Sequence, residues 1–170
     1  PPFYGKLSDN EIRALVHHIQ STPKQPNPAW TLNDIKASVK VLADESKLPN
    51  KPTYQISSMD DVIGVAARGK YGRGDGSKAV FINSKTHKKI GEVKTGTAAH
   101  IIDFNPANPR WAYIKTDTAE IFKVDLYTMQ AVRSVKTGFN GPGIGVSRDG
   151  KYIMAGSFVA HNAVILDANT

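Results

Sequence analysis

The sequence contains no cysteine and no apolar run long enough to cross a membrane. Without cysteine, this stretch cannot form disulfides, thiolate metal sites, cysteine nucleophiles or the Cys-x-x-Cys-His attachment of haem. A membrane-spanning helix would need about 20 apolar residues, so no membrane span is expected. The chain also opens on Pro-Pro-Phe-Tyr without an initiator Met or a signal peptide. We therefore expect a fragment of a longer protein.

Negative charge is scarce in one part of the chain. The net charge is +7, and the stretch 68–94 contains eight basic residues against two acidic ones. Such a patch attracts a nucleic acid, an acidic protein or a small anionic ligand, or else it is only a solvated face. Nucleic acid is disfavoured because no recognised motif accompanies the charge and only Tyr71 and Phe81 are aromatic there.

Residues 1–21 contain one predicted helix, over 7–20. Ser8 followed by Glu11 is the Ser-x-x-Glu capping box that begins helices. Apolar residues then recur at the helical spacing i, i+3, i+4, i+7, forming one stripe: Ile12, Leu15, Val16 and Ile19. Because an isolated helix of this length is marginal in water, it must pack on a partner.

Residues 22–59 are predicted to be a proline-rich linker that crosses between domains. Five prolines interrupt 22–56. A short helix is possible over 32–42, with Thr31 or Asn33 as its N-cap.

Residues 60–170 contain short strands separated by Gly, Asn-Pro and Asp-Gly turns, which indicates antiparallel β structure. The segments VFINSKT, FKVDLYT and VILDANT begin at 80, 122 and 164, an interval of 42 residues. Asn83, Asp125 and Asp167 coincide in this repeat and can hydrogen-bond their own turns. A period of about 40–45 residues with four strands is typical of a β-propeller blade. The fold class is therefore an all-β propeller fragment of about 2.75 blades, preceded by one helix.

A helix closing a small domain, a linker with Trp30 and this repeat together resemble the cytochrome cd1 nitrite reductase family. That resemblance implies an eight-bladed propeller that binds haem d1 non-covalently. It also implies that residues 1–21 are the C-terminal helix of a cytochrome c domain. The haem c motif would then lie upstream, outside this chain.

The resemblance also implies site residues. DVIGVAARG, ending at Arg68, is similar to the first strand of the haem d1 domain, whose arginine lies at the cofactor pocket. VKTGTAAHIIDF is similar to the segment with the proximal iron ligand, which makes His100 the metal-binding and cofactor-binding residue. One repeat later the same position holds Pro142, so the blade fold does not require this histidine. His161 is a weaker candidate for the pocket.

The implied function is periplasmic reduction of nitrite to nitric oxide at haem d1 by the full-length enzyme, the fragment itself being inactive. Electrons would come through haem c from a small donor protein, a cytochrome c or a cupredoxin, and the parent would be a homodimer. Distal catalytic residues would lie beyond Thr170. Asp103 departs from the family, which has an arginine there, and the insertion 68–77 is also unusual. Two alternatives stay open: a dihydro-haem d1 dehydrogenase of haem d1 biosynthesis, and a non-catalytic protein-binding propeller.

Overall fold

The structure of the chain, a computed structural model, describes residues 5–26, 28–69 and 76–169. Its helices are α1 (Asp9–Ser21) and α2 (Leu32–Ala37), with single 3₁₀ turns at Glu45–Lys47 and Met59–Asp61. Its strands are β1 (Lys40–Val41), β2 (Val62–Ala67), β3 (Lys78–Asn83), β4 (Lys89–Lys94), β5 (Ala99–Phe104), β6 (Trp111–Thr116), β7 (Glu120–Asp125), β8 (Gln130–Lys136), β9 (Ile144–Val146), β10 (Tyr152–Ser157) and β11 (Asn162–Asp167).

The strands form three antiparallel sheets, which we name blade 1 (β2–β4), blade 2 (β5–β8) and blade 3 (β9–β11). In blade 2 each strand pairs with the next along the chain, and β1 adds a fifth strand outside β8. The 42-residue repeat makes β3, β7 and β11 equivalent, so β5 and β9 are the first strands of their blades. The predicted propeller-type architecture is confirmed.

Two apolar clusters hold neighbouring blades together. The cluster between blades 1 and 2 includes Phe81 and Ile114, and the cluster between blades 2 and 3 includes Tyr113 and Ile153. Phe81 is fully buried, and burying a side chain of this kind contributes about 1.5–3 kcal/mol. The blades therefore stack face to face, which fixes the positions of the loops at their ends.

The predicted turn chemistry is present in all three blades. The Asn83 side-chain oxygen accepts from the backbone N–H groups of two residues in its turn, at 2.8 and 3.1 Å. Asp125 accepts from the hydroxyl of Thr128 at 2.7 Å. Asp167 accepts from the N–H of Asn169 at 2.8 Å. These side chains satisfy backbone and hydroxyl donors within their own turns, as their residue types predicted.

Helix α1 has the capping box predicted from the sequence. The N–H of Ser8 donates to the Glu11 carboxylate at 2.8 Å, and the N–H of Glu11 donates to the Ser8 hydroxyl at 3.4 Å. No residue of α1 is buried, and Ile19 in the apolar stripe is 71% exposed. The stripe therefore forms, but no described residue covers it.

The linker, residues 22–59, is not a loose tether in this structure, and its helix is shorter than predicted. Helix α2 ends at Ala37, after which β1 pairs with β8 on the outer edge of blade 2. Trp30 donates from its indole nitrogen to the Lys136 carbonyl at 3.0 Å. The Tyr54 hydroxyl donates to the Leu126 carbonyl at 2.7 Å. The helix is shorter than predicted because the residues of β1 hydrogen-bond to β8 and do not continue the helix.

Glu45 anchors the middle of the linker. Its carboxylate accepts from Lys123 at 2.9 Å and from Arg133 at 2.7 Å. Lys123 is almost fully buried, so its charge needs a partner of this kind. The two cations hold the pKa of Glu45 below its ordinary value, against the desolvation that raises it.

Lys115 joins blades 2 and 3 from a fully buried position. Its ammonium donates to the carbonyls of Gly143 at 3.0 Å and Gly156 at 2.7 Å. Burial disfavours the charged form and lowers the pKa of Lys115 to about 8. The amine therefore binds two carbonyls of the next blade while it carries a desolvated charge.

This buried amine predicts a pH dependence of folding. Between about 8 and the ordinary value of 10.5, the unfolded chain binds more protons at Lys115 than the folded chain. The free energy of unfolding should therefore rise with pH across this window, because the cost of burying the charge disappears as the folded amine deprotonates. Urea unfolding of the native protein and Lys115→Met at a series of pH values measures the difference. Equal slopes in the two proteins would contradict this account.

Candidate functional site

The two site residues implied by the resemblance lie at the same end of the blades, which we call the upper face. Strand β6 runs toward this face and β5 runs away from it, since Ala99 pairs with Thr116. His100 is the second residue of β5, and Arg68 directly follows β2. The loop between β10 and β11, which contains His161, belongs to the same face. The sheet geometry therefore brings one end of each blade into a common surface.

His100 lies on β5 close to the upper face, and a third of its side chain is exposed. Its Nε2 lies 4.0 Å from Oδ1 of Asp117. Its Nδ1 is buried and has no hydrogen-bond partner within the described ranges. A buried ring nitrogen without a protein partner calls for an explanation such as a bound ion or ligand. Neutral imidazole is the common axial ligand of haem iron.

The side chains around His100 fit iron that is already held in a tetrapyrrole better than they fit a free metal ion. In the part of the chain that the structure describes, no three His, Cys, Asp or Glu side chains are grouped to hold a metal. A tetrapyrrole supplies its own equatorial nitrogens and needs only an axial ligand from the protein. A single imidazole at His100 meets that requirement.

Asp117 joins the two predicted site residues and was not itself predicted. Its Oδ2 accepts from Nη2 of Arg68, while its Oδ1 faces His100. Arg68 follows β2, Asp117 follows β6 and Phe158 follows β10, so the three occupy one repeat position. Aligning the ends of these strands by the repeat could have revealed an oppositely charged pair in neighbouring blades.

The main chain of Asp117 is fixed from both sides. Its N–H donates to the Ala98 carbonyl at 2.9 Å, and its carbonyl accepts from the N–H of Gly141 at 3.3 Å. Ala98 leads into β5 and Gly141 leads toward β9. The carboxylate is therefore anchored where the chain enters the first strands of two blades.

Asp103 has a structural contact rather than a place beside His100 and Arg68. Its carboxylate accepts from the N–H of Val146 at 2.9 Å, which ties β5 to β9. The resemblance expects an arginine at this position. The departure therefore coincides with a contact between blades that an arginine cannot make, because arginine has no acceptor.

Three described lysines of the basic stretch 68–94 pair with acids in or beside blade 1. Lys78 and Lys89 pair with Glu92 at 2.8 and 2.7 Å, and Lys85 pairs with Asp61 at 3.7 Å. Hydrogen bonds from Lys78 and Lys89 lower the pKa of Glu92 to about 2. Lys70, Arg73 and most of the insertion 68–77 lie outside the described residues. Of the described residues in the stretch, Arg68 is the basic one that shares an acid with His100.

A cavity of about 420 Å³ lies apart from these residues. It opens between α2, β8 and β11, and apolar side chains such as Ile35 and Ile165 line much of it. Neither His100 nor Asp117 lines this cavity. Its walls combine helix α2 with residues of the apolar cluster between blades 2 and 3, so it is a different feature from the site at the upper face.

The three sheets define a propeller-type β protein, and comparison with known families identifies the domain. The family model described as "Cytochrome D1 heme domain" matches residues 71–170. This chain belongs to that family.

Two matches cover nearly the whole chain. The dihydro-heme d1 dehydrogenase of Pseudomonas aeruginosa is 25% identical over 166 residues, which are 98% of this chain and 32% of the relative. A solved structure, dihydro-heme d1 dehydrogenase NirN in complex with DHE, is 26% identical with a TM-score of 0.73. It covers 98% of this chain and 34% of that one. The chain thus spans about a third of the length of the relatives it matches.

A third match concerns the fold alone. Hydrazine synthase of Kuenenia stuttgartiensis aligns with a TM-score of 0.55 at 18% identity, over 64% of this chain and 31% of that one. At this identity the likeness carries no information about activity.

The predicted nitrite reductase activity is wrong. The curated relative and the solved structure that match 98% of the chain are both dihydro-heme d1 dehydrogenases. Reduction of nitrite to nitric oxide therefore gives way to the alternative that the sequence left open. No helix among the described residues is long and apolar enough to cross a membrane.

Proposed function

We propose that this chain supplies the first blades of the tetrapyrrole-binding propeller of a dihydro-haem d1 dehydrogenase, an oxidoreductase of haem d1 biosynthesis. The observation that carries the proposal is the match over 98% of the chain to an enzyme of that name. Blade 2 has all four of its strands, and we propose that His100 on its first strand binds the tetrapyrrole.

In this proposal the imidazole of His100 would hold the iron of the bound tetrapyrrole. Arg68 provides a positive charge, and it lies on the other side of Asp117 from His100. Haem d1-type tetrapyrroles carry carboxylates, which arginine recognises through paired N–H donors. These residues bind and orient the tetrapyrrole.

The proposed reaction removes two hydrogen atoms from the dihydro compound. Two C–H bonds break, one C=C bond forms, and two protons and two electrons leave the substrate. The electrons require an acceptor, for which we propose a c-type haem in a domain that ends with residues 1–21. A small electron-transfer protein, a cytochrome c or a cupredoxin, would then carry them away. A periplasmic homodimer is part of the same proposal.

The test is a turnover assay with the full-length protein. Dihydro-haem d1 and an oxidised cytochrome c are added, and mass spectrometry follows the tetrapyrrole while absorbance follows the cytochrome. The expected product is lighter by two hydrogen atoms, with two cytochromes reduced for each product. A protein that binds dihydro-haem d1 but leaves it unchanged with every acceptor supplied would contradict the activity. A protein that binds no tetrapyrrole would contradict the proposal as a whole.

A further inference from the structure

We infer that Asp117 is the positioning residue of the tetrapyrrole site: its carboxylate holds His100 and Arg68 in a fixed relation and thereby sets affinity for the tetrapyrrole. This inference rests on the proposed function. Neither the family match nor the resemblance assigns Asp117 a role.

Two candidate site residues from different blades face the carboxylate of Asp117. Arg68 comes from blade 1 and His100 from blade 2, yet both face the two oxygens of one carboxylate. An arginine–carboxylate hydrogen bond is charge-assisted on both sides and is among the stronger polar contacts in proteins. The carboxylate therefore links the two residues that the sequence had indicated separately.

The second support is that the blade does not need this carboxylate. Hydrogen bonds of Thr116 hold the turn, and the main chain of Asp117 joins it to Ala98 and Gly141. At the equivalent position of the other blades stand Arg68 and Phe158, so the repeat accepts quite different side chains. We therefore assign the Asp117 carboxylate to the candidate site and not to the fold of the blade.

The third support is chemical. Histidines that bind metals are commonly oriented by a carboxylate near the ring. At 4.0 Å from Nε2, the contact is longer than a hydrogen bond, so Asp117 acts on the ring through its charge. The same carboxylate balances Arg68, so that the cation lies beside the ligand in a defined orientation.

The variant Asp117→Asn tests the inference because it keeps the size and an acceptor oxygen but removes the charge. The full-length apoprotein is titrated with dihydro-haem d1, and absorbance gives the Kd and the band positions. We expect the Kd to rise about 10- to 100-fold, the usual effect of losing a residue that orients a metal ligand. The bands of the bound tetrapyrrole should shift, because the electronic character of the axial imidazole changes.

The matched control is Asp103→Asn. Asp103 lies on the same strand as His100, but its carboxylate contacts Val146, so the Kd and bands should stay as in the native protein. A double-mutant cycle with Arg68→Gln and Asp117→Asn should be non-additive, since both changes disrupt one linked unit.

Each outcome decides a separate claim. If the native protein binds no tetrapyrrole, the proposed function fails. If the native protein binds and Asp117→Asn binds with the same Kd and bands, only the positioning role fails. A variant whose thermal unfolding shows it to be already unfolded would make Asp117 a folding residue and would also overturn the inference.

Discussion

Replacing His100 with alanine is expected to abolish measurable binding of dihydro-haem d1, raising the Kd by more than about 100-fold. The imidazole is the iron ligand in our account, and a third of its side chain is exposed at the upper face. Alanine removes the ligand without adding bulk to the upper face. Titration of the full-length apoprotein, followed by absorbance and gel filtration, measures the effect.

The control for this change is His17→Ala. His17 lies on the exposed helix α1, so its loss should leave the Kd unchanged. Retention of a native spectrum by His100→Ala would show that another residue holds the iron. His161→Ala would then be the next variant, because His161 lies in a loop of the same face.

Replacing Asp125 with alanine is expected to lower the free energy of unfolding by about 3–5 kcal/mol. Asp125 is fully buried, and its carboxylate accepts from Nε of Arg110 at 2.7 Å. The guanidinium of Arg110 also lies over the rings of Trp111 and Tyr127, at 5.0 and 4.8 Å. Removing the carboxylate leaves this largely buried cation without its ionic partner. Urea unfolding gives the change in free energy.

The repeat supplies a matched control for Asp125. Asp167 occupies the equivalent position in blade 3, but it is exposed and its carboxylate caps only its own turn. Asp167→Ala should therefore cost no more than about 1 kcal/mol. If the two substitutions had equal effects, the stabilisation would come from the turn and not from the buried ion pair.

The propeller blades could be predicted because their information is local and repeated. The 42-residue interval, the alternating strands and the turn residues Asn83, Asp125 and Asp167 all describe contacts within a blade. The capping box of α1 is equally local. Each of these features depends on residues a few positions apart, which a sequence displays directly.

The docking of the linker could not be predicted because it depends on single contacts distant in sequence. Trp30 and Lys136 are separated by about a hundred residues, as are Ser38 and Lys136. Proline spacing describes only how stiff the segment is, and it contains no information about the surface that the segment meets. The two-residue strand β1 is likewise formed by its partner β8.

The ion pairs of the basic stretch 68–94 could not be predicted for a related reason. Summing the charges over 68–94 gives a basic stretch, but the fold brings Asp61 and Asp117 to it from outside and places Glu92 between two lysines. A sum along the sequence cannot include partners from other strands. The pairing of Arg68 with Asp117 also joins residues of two different blades.

The choice between two activities could not be made from the residues in view. The site residues implied by the resemblance, His100 and Arg68, serve a haem d1 pocket whether the tetrapyrrole is a cofactor or a substrate. The relative that matches 98% of the chain is a dihydro-heme d1 dehydrogenase, which favours the second activity.

The most direct test of the central claim is to locate the iron. Crystals of the full-length protein bound to dihydro-haem d1, measured at the iron absorption edge, give an anomalous peak at the metal. Our account predicts this peak beside the imidazole of His100, with Asp117 and Arg68 next to that ring. A peak ligated by a different residue, with His100 directed away from the tetrapyrrole, would contradict it.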